Sequence, residues 1–158
     1  MLVSIVIPCY NSEHTIGKVV ELAIEEFEKL KDYECEFVLV NDYSRDGTWN
    51  AIHALAEKHS NVKGINLAKN FGQHNAIMAA MNYTEGDLII GMDDDMQNHP
   101  SQIPLFLDKI REGYDIVFGV FKQRKFSAFK NLTGAVSRFL LWHLLDRPKD
   151  IQMSSFWC

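Results

Sequence analysis

Apolar runs of five to seven residues alternate with amphipathic stretches along this chain, and few folds accommodate that order. The runs 2–7, 36–40, 62–67, 88–92 and 115–121 have the length and composition of strands. Between them, residues 13–31, 48–59, 73–83 and 101–112 carry apolar side chains at helical spacing, as at Ile16, Val19, Val20, Ala23, Ile24 and Phe27. Asn11 or Ser12 is placed to cap the first helix, Gly113 closes the fourth, and Pro8 is read as stopping the first strand. A last helical pattern covers 127–145. Strands apolar at nearly every residue are buried on both faces, so the predicted class is α/β: a Rossmann-like, mainly parallel sheet flanked by helices. Such sheets bind ligands beyond the carboxyl ends of their strands.

The 158 residues, 47% of them hydrophobic and 23% charged, suffice for one domain with its own core and are too apolar for disorder. No apolar run is long enough to span a membrane, and the Met1-Leu2-Val3 start lacks the basic flank and cleavage site of a signal peptide. Cys9, Cys35 and Cys158 are odd in number and lack metal-type spacing, which points to a reducing compartment rather than a disulfide framework or a zinc site. The net charge of −5 is unevenly spread: residues 1–121 hold nine Lys/Arg against nineteen Asp/Glu, whereas 122–149 hold seven against one. That basic stretch includes Lys122, Arg124, Lys125, Lys130 and Arg138, interleaved with Phe126, Phe129, Phe139 and Trp142. It either meets an anionic partner or is the solvated face of a packed helix.

The polar clusters fall where the strands end. Pro8 to Asn11 follow the first strand, Asn41 and Asp42 the second, Lys69 and Asn70 the third, and Asp93 to Gln97 the fourth. Neither the GxxxxGK[ST] phosphate loop nor GxGxxG is present, which removes support for P-loop enzymes and Rossmann dehydrogenases. Three adjacent carboxylates, Asp93, Asp94 and Asp95, repel one another unless a cation or hydrogen bonds offset the charge. Their hard oxygens suit Mg²⁺ or Mn²⁺, although capping the next helix is the other use for such residues. On an extended backbone Asp93, Asp95 and Gln97 would face one side and Asp94 the other. Asp42 either accepts a hydrogen bond from a base or ribose or closes a turn within 41–47. Tyr10 either stacks on a base or is structural, and Lys69 either meets phosphate or is simply exposed.

Taken together, four motifs in order resemble family 2 glycosyltransferases over nearly the whole chain. They are Pro8-Cys9-Tyr10-Asn11-Ser12-Glu13, Val40-Asn41-Asp42-Tyr43-Ser44-Arg45-Asp46-Gly47-Thr48, Asn70-Phe71-Gly72-Gln73-His74-Asn75-Ala76, and Asp93-Asp94-Asp95-Met96-Gln97-Asn98-His99-Pro100. The polyprenyl-phosphate branch is the most similar, with dolichol-phosphate mannose synthase and bacterial undecaprenyl-phosphate sugar transferases.

The resemblance implies a GT-A fold spanning 1–158 as a nucleotide-sugar-binding catalytic domain, cut short on its acceptor side. Pro8, Tyr10, Glu13, Asp42, Lys69, Asp93 and Asp94 would hold the nucleotide, and Asp95 and Gln97 a Mg²⁺ or Mn²⁺ ion. Asp93 and Asp95 are the expected catalytic residues. The reaction implied is inverting transfer from a UDP- or GDP-sugar to a polyprenyl phosphate at the cytoplasmic face of a membrane. Lys122, Arg124, Lys125, Lys130 and Arg138 would meet the acceptor or the membrane surface, and no nucleic-acid partner is expected. Alternatives are transfer to a saccharide hydroxyl, a non-catalytic nucleotide-sugar-binding domain, or a receiver-like signalling domain. Two positions depart from the family's pattern. After the fifth strand, where the family often has Gly-x-Arg, the chain reads Gly119-Val120-Phe121-Lys122, with Arg124 and Lys125 as substitutes, and Trp157 stands where Ser/Gly-x-Phe-Arg would have its arginine.

Overall fold

Strands β1 (Leu2–Cys9), β2 (Glu34–Asn41), β3 (Val62–Asn66) and β4 (Leu88–Gly91) pair in parallel in the order β3-β2-β1-β4. The computed structural model describes residues 1–119 and 154–158. The chain divides into two compact units, Met1–Phe118 with Ser155–Cys158 and Gly119–Ser154, and all four strands belong to the first. Helices α1 (Ile16–Glu28), α2 (Thr48–Lys58) and α3 (Gln73–Met81) form the crossovers. A 3₁₀ turn, Pro100–Gln102, leads into α4 (Ile103–Arg111).

The strand order explains the layers. Two successive crossovers step from β1 to β2 to β3, and right-handed connections therefore lay α1 and α2 on one face. The third runs back past β1 to β4 and lays α3 on the other, where Val6, Val38 and Val40 bury against Ala76 and Ala80. On the opposite face, Gly64 makes room for Ile52 of α2; a Cβ at Gly64 would stand 2.7 Å from the Ile52 Cγ2. The central strands are buried along almost their whole length, while the edge strand β3 alternates buried and open positions. Each fully buried Val, Ile, Leu or Phe contributes about 1.5–3 kcal/mol of burial free energy.

Several boundaries differ from the sequence expectation, and two of the shifts have a visible cause. β1 continues through Pro8 to Cys9. The Leu2 and Val6 carbonyls accept from Asp87 and Met92 on the β4 side, whereas Cys9 accepts from Asp42 on the β2 side. Alternate residues of a parallel strand address alternate neighbours, so Pro8 faces the β4 side, beyond the last paired residue, Val6. Its missing N–H costs no ladder bond there. The helix predicted from residue 13 starts at Ile16, because Ser12 and Glu13 are drawn sideways to the next loop: Thr48 Oγ1 accepts the Ser12 N–H at 2.7 Å and Asp46 accepts the Glu13 N–H at 3.2 Å.

The run 115–121, predicted as a fifth strand, contributes only an antiparallel bridge from Phe118 to Trp157 among the described residues. The position beside β4 is taken instead by the C-terminal residues: Trp157 and Gly91 exchange backbone bonds of 2.9 and 3.1 Å, and Cys158 and Val117 exchange two of 2.9 Å. Gly91 permits this approach, since a Cβ there would collide with the Trp157 indole. The helix predicted over 127–145 lies outside the described residues.

Candidate functional site

A cleft of about 410 Å³ opens at the carboxyl ends of the strands. Pro8, Cys9 and Tyr10 line it from β1, Asp42 from β2, Asn70, Gly72 and Gln73 from the approach to α3, and Asp93, Asp94 and Asp95 from the end of β4. β1 and β4 are the neighbours between which the winding reverses, the point at which open α/β sheets characteristically bind ligands. The loops here are strained. Among the described residues the non-glycine positions with positive φ are Asn11 (54°), Tyr43 (58°) and Met96 (63°), one after each of β1, β2 and β4. Gly72, at φ 86°, supplies the same left-handed geometry after β3 at no steric cost. Cross-loop bonds hold this backbone: Asn11 donates to Ser44 Oγ at 3.0 Å and its Oδ1 accepts from Arg45 at 3.1 Å.

Asp42 is 3% exposed, and its carboxylate accepts the backbone N–H groups of Phe71 at 2.7 Å and Gly72 at 2.8 Å. It fixes the loop before α3. The turn within 41–47 is closed instead by Asn41, whose Oδ1 accepts the Ser44 N–H at 3.2 Å.

All three acidic residues line the cleft, and the expected alternation does not hold. The chain bends from Asp94 to Asn98, with Met96 left-handed, so it is not extended there. Asp94 Oδ2 accepts the Tyr10 N–H at 3.0 Å, and Asp95 Oδ1 accepts the Gln97 N–H at 2.9 Å. Gln97 is exposed and does not line the cleft, but that turn keeps it beside Asp95. Asp93 accepts from Gln73, Asn98 and Ser155, partners that sequence reasoning did not assign to it. Burial holds the Asp94 carboxyl above its ordinary range despite the Tyr10 N–H, and the Asp95 charge adds to the rise. Cys9 lines the cleft but is no nucleophile: burial, and then the charge of Asp94, push its thiol well up.

Other predicted residues stand off. Glu13 Oε2 accepts the Gly47 N–H at 2.5 Å and braces the loop after β2, and the Lys69 ammonium lies 4.9 Å from the centre of the Phe71 ring. Neither lines the cleft. Lys122, Arg124, Lys125, Lys130 and Arg138 lie outside the described residues.

The donor set suits a hard divalent cation completed by a ligand. No group of three His, Cys, Asp or Glu side chains gathers as a closed cage among the described residues. Mg²⁺, however, is commonly held by one or two carboxylates plus substrate phosphates. None of the ion pairs among the described residues reaches Asp93, Asp94 or Asp95. Asn98, fully buried beside Asp93, keeps an Oδ1 with no hydrogen-bond partner there. The site therefore carries negative charge and open oxygen donors without a compensating cation of its own among the described residues.

Comparison with known proteins accords with this geometry. Residues 4–155 match the family described as Glycosyl transferase family 2, and the chain belongs to that family. It is 40% identical to an undecaprenyl-phosphate 4-deoxy-4-formamido-L-arabinose transferase of Shewanella sediminis, over 99% of this chain and 46% of that protein. The chain spans about half the length of the curated relatives it matches. Among solved structures, a mannosyltransferase from Pyrobaculum calidifontis in complex with GDP-Man and Mn²⁺ aligns at TM-score 0.52 and 26% identity, over 59% of this chain and 27% of that one. Glucosyl-3-phosphoglycerate synthase from Mycobacterium tuberculosis, in complex with UDP, aligns at TM-score 0.68 and 22% identity, over 98% of this chain and 55% of that one. The fold is GT-A.

Proposed function

We propose that residues 1–158 form the donor-binding catalytic domain of a metal-dependent, inverting glycosyltransferase that moves a sugar from a UDP- or GDP-sugar onto a polyprenyl phosphate. The observation that carries this reading is the run of three carboxylates without a cationic partner among the described residues, at the crevice between β1 and β4 of a family 2 chain. The acceptor is suggested by the undecaprenyl-phosphate transferase names of the relatives. No helix among the described residues is long and apolar enough to cross a membrane. Contact with the acceptor at the cytoplasmic face of a membrane is assigned to Lys122, Arg124, Lys125, Lys130 and Arg138.

Each residue then has a task. Tyr10, half exposed at the cleft, offers its ring to the base beside Pro8. Asp42 has spent one acceptor position on each oxygen, and a carboxylate has about four in all, so it retains capacity for a base N–H. Glu13 and Lys69 serve the nucleotide through the loops they touch, at Gly47 and Phe71. Asp93 and Asp94 face the nucleotide, and Asp95 with Gln97 would hold the ion. Bound there, Mg²⁺ or Mn²⁺ supplies Lewis-acid neutralisation of the diphosphate leaving group. A phosphate monoester has a second pKa near about 6, so the acceptor oxygen arrives largely ionised. It attacks the anomeric carbon opposite the diphosphate and needs no carboxylate to take its proton.

Calorimetry of UDP and GDP binding with Mn²⁺ and with EDTA tests the donor half. Tight binding only with the cation is expected, and equal affinity in EDTA defeats the reading. Turnover of a short polyprenyl phosphate tests the acceptor half.

A further inference from the structure

Three separate parts of the chain hold Asp93. Gln73 Nε2, on the first residue of α3, donates to Oδ1 at 2.9 Å, and Asn98 Nδ2 donates to Oδ2 at 2.9 Å. The third donor is the Ser155 hydroxyl, 62 residues further along the chain and bonded to the same Oδ2. The three residues after Ser155 are firmly fixed. Phe156 is fully buried, its ring centroid 4.4 Å from that of Phe106, and Trp157 and Cys158 are bonded through their backbones to Gly91 and Val117. A hydroxyl anchored in this way sets the rotation of the carboxylate it meets. Of about four acceptor positions on Asp93, three are spent, and the one that remains is on Oδ1.

We propose that Ser155 is a positioning residue of the donor site, acting through Asp93: it locks the carboxylate so that the acidic turn keeps its shape and a single acceptor position is left for a donor hydroxyl. The shape of the turn concerns the protein alone; the donor hydroxyl rests on the function proposed above. The C-terminal segment beside β4 thereby becomes part of the donor site rather than only a cover for the sheet edge.

A cycle of Ser155→Ala, Asp93→Ala and the double variant, with Ser155→Thr as the conservative control, tests this with two readouts. In the ligand-free chain, hydrogen exchange is followed at the Gln97 amide, held by Asp95, and at the Tyr10 amide, held by Asp94. Ser155→Ala is expected to speed both on the order of tenfold, Ser155→Thr to leave them near the parent rate, and Ser155→Ala to add nothing once Asp93 is Ala and offers no acceptor. With Mn²⁺ present, the affinity for UDP or GDP is expected to fall by a similar factor in the same non-additive way. Unchanged exchange, or an equal increment with and without Asp93, overturns the proposal, since a merely structural serine gives additive effects. A parent chain that binds neither nucleotide but shows the coupled exchange counts against the donor-site function and leaves the Ser155–Asp93 lock standing.

Discussion

Glu36 and Asp94 are acidic side chains drawn out of water at opposite ends of one sheet, and the fold treats them in opposite ways. Near the amino ends, Glu36 accepts from Ser4 Oγ at 2.5 Å and from the Glu85 N–H at 2.6 Å, and pairs with the Lys63 ammonium at 3.0 Å. Lys63 also reaches Glu85 at 2.7 Å. Burial alone would push the Glu36 carboxyl up, but these bonds outweigh it and leave it below its ordinary range. At the carboxyl ends, burial prevails and Asp94 lies above its range, beside two further carboxylates and with no ion pair among the described residues. One end closes its charge inside the fold, and the other leaves it open to a ligand. Buried charge that is paired belongs to the scaffold, whereas buried charge left unpaired marks a site.

The largest expected effect breaks this contrast at the open end. Asp95→Asn removes the carboxylate assigned to the cation and is expected to cost on the order of 100-fold in Mn²⁺-dependent nucleotide affinity, read by calorimetry, with little loss of stability. Ser4→Ala is the counterpart at the closed end. It leaves the buried Glu36 carboxylate and the Gly86 N–H each short of a partner, so chemical denaturation should register a loss of about 1–3 kcal/mol while nucleotide affinity stays at the parent value.

The same network supplies a pH signature. Because the Glu36 carboxyl is lowered in the folded chain, its stabilisation is complete above the unfolded value of about 4.3 and is lost as pH falls through the lower folded value. The denaturation midpoint of the parent chain should therefore drop more steeply below about pH 4 than that of Glu36→Gln, and parallel curves would count against the pairing. The smallest effect belongs to Asp94→Asn, which relieves repulsion from Asp95 while an amide oxygen still accepts the Tyr10 N–H. The ligand-free chain should gain about 0.5 kcal/mol, and nucleotide affinity should fall less than with Asp95→Asn.

Much of the architecture was legible because it is written locally. Runs such as Val38-Leu39-Val40, apolar on both sides, have no stable place except inside a covered sheet, and the spacing of Ile16, Val19, Val20 and Ala23 provides one face of a covering helix. The motifs at the strand ends likewise point to Pro8, Tyr10, Asp42 and the acidic run, all of which line the cleft. The finer geometry was not local. Whether Pro8 ends a strand depends on how far β4 extends beside it, and β4 stops at Gly91. Asp94 lines the cleft where the chain bends from Asp94 onward, a departure from extended backbone that no alternation rule anticipates.

By itself, then, the sequence determined the class of fold, the end of the sheet that carries chemistry and the residue types gathered there, since periodicity, turn residues and like-charge crowding act over a few positions. Only the tertiary structure decided the partners: Asp42 with Phe71 and Gly72, Asp93 with Ser155, Glu36 with Ser4 and Lys63, and Trp157 in the place expected for 115–121. Those choices join residues about thirty to sixty apart in the chain. Each buried donor or acceptor must be satisfied by whichever group the packed core brings within reach, and separation along the chain does not encode that proximity.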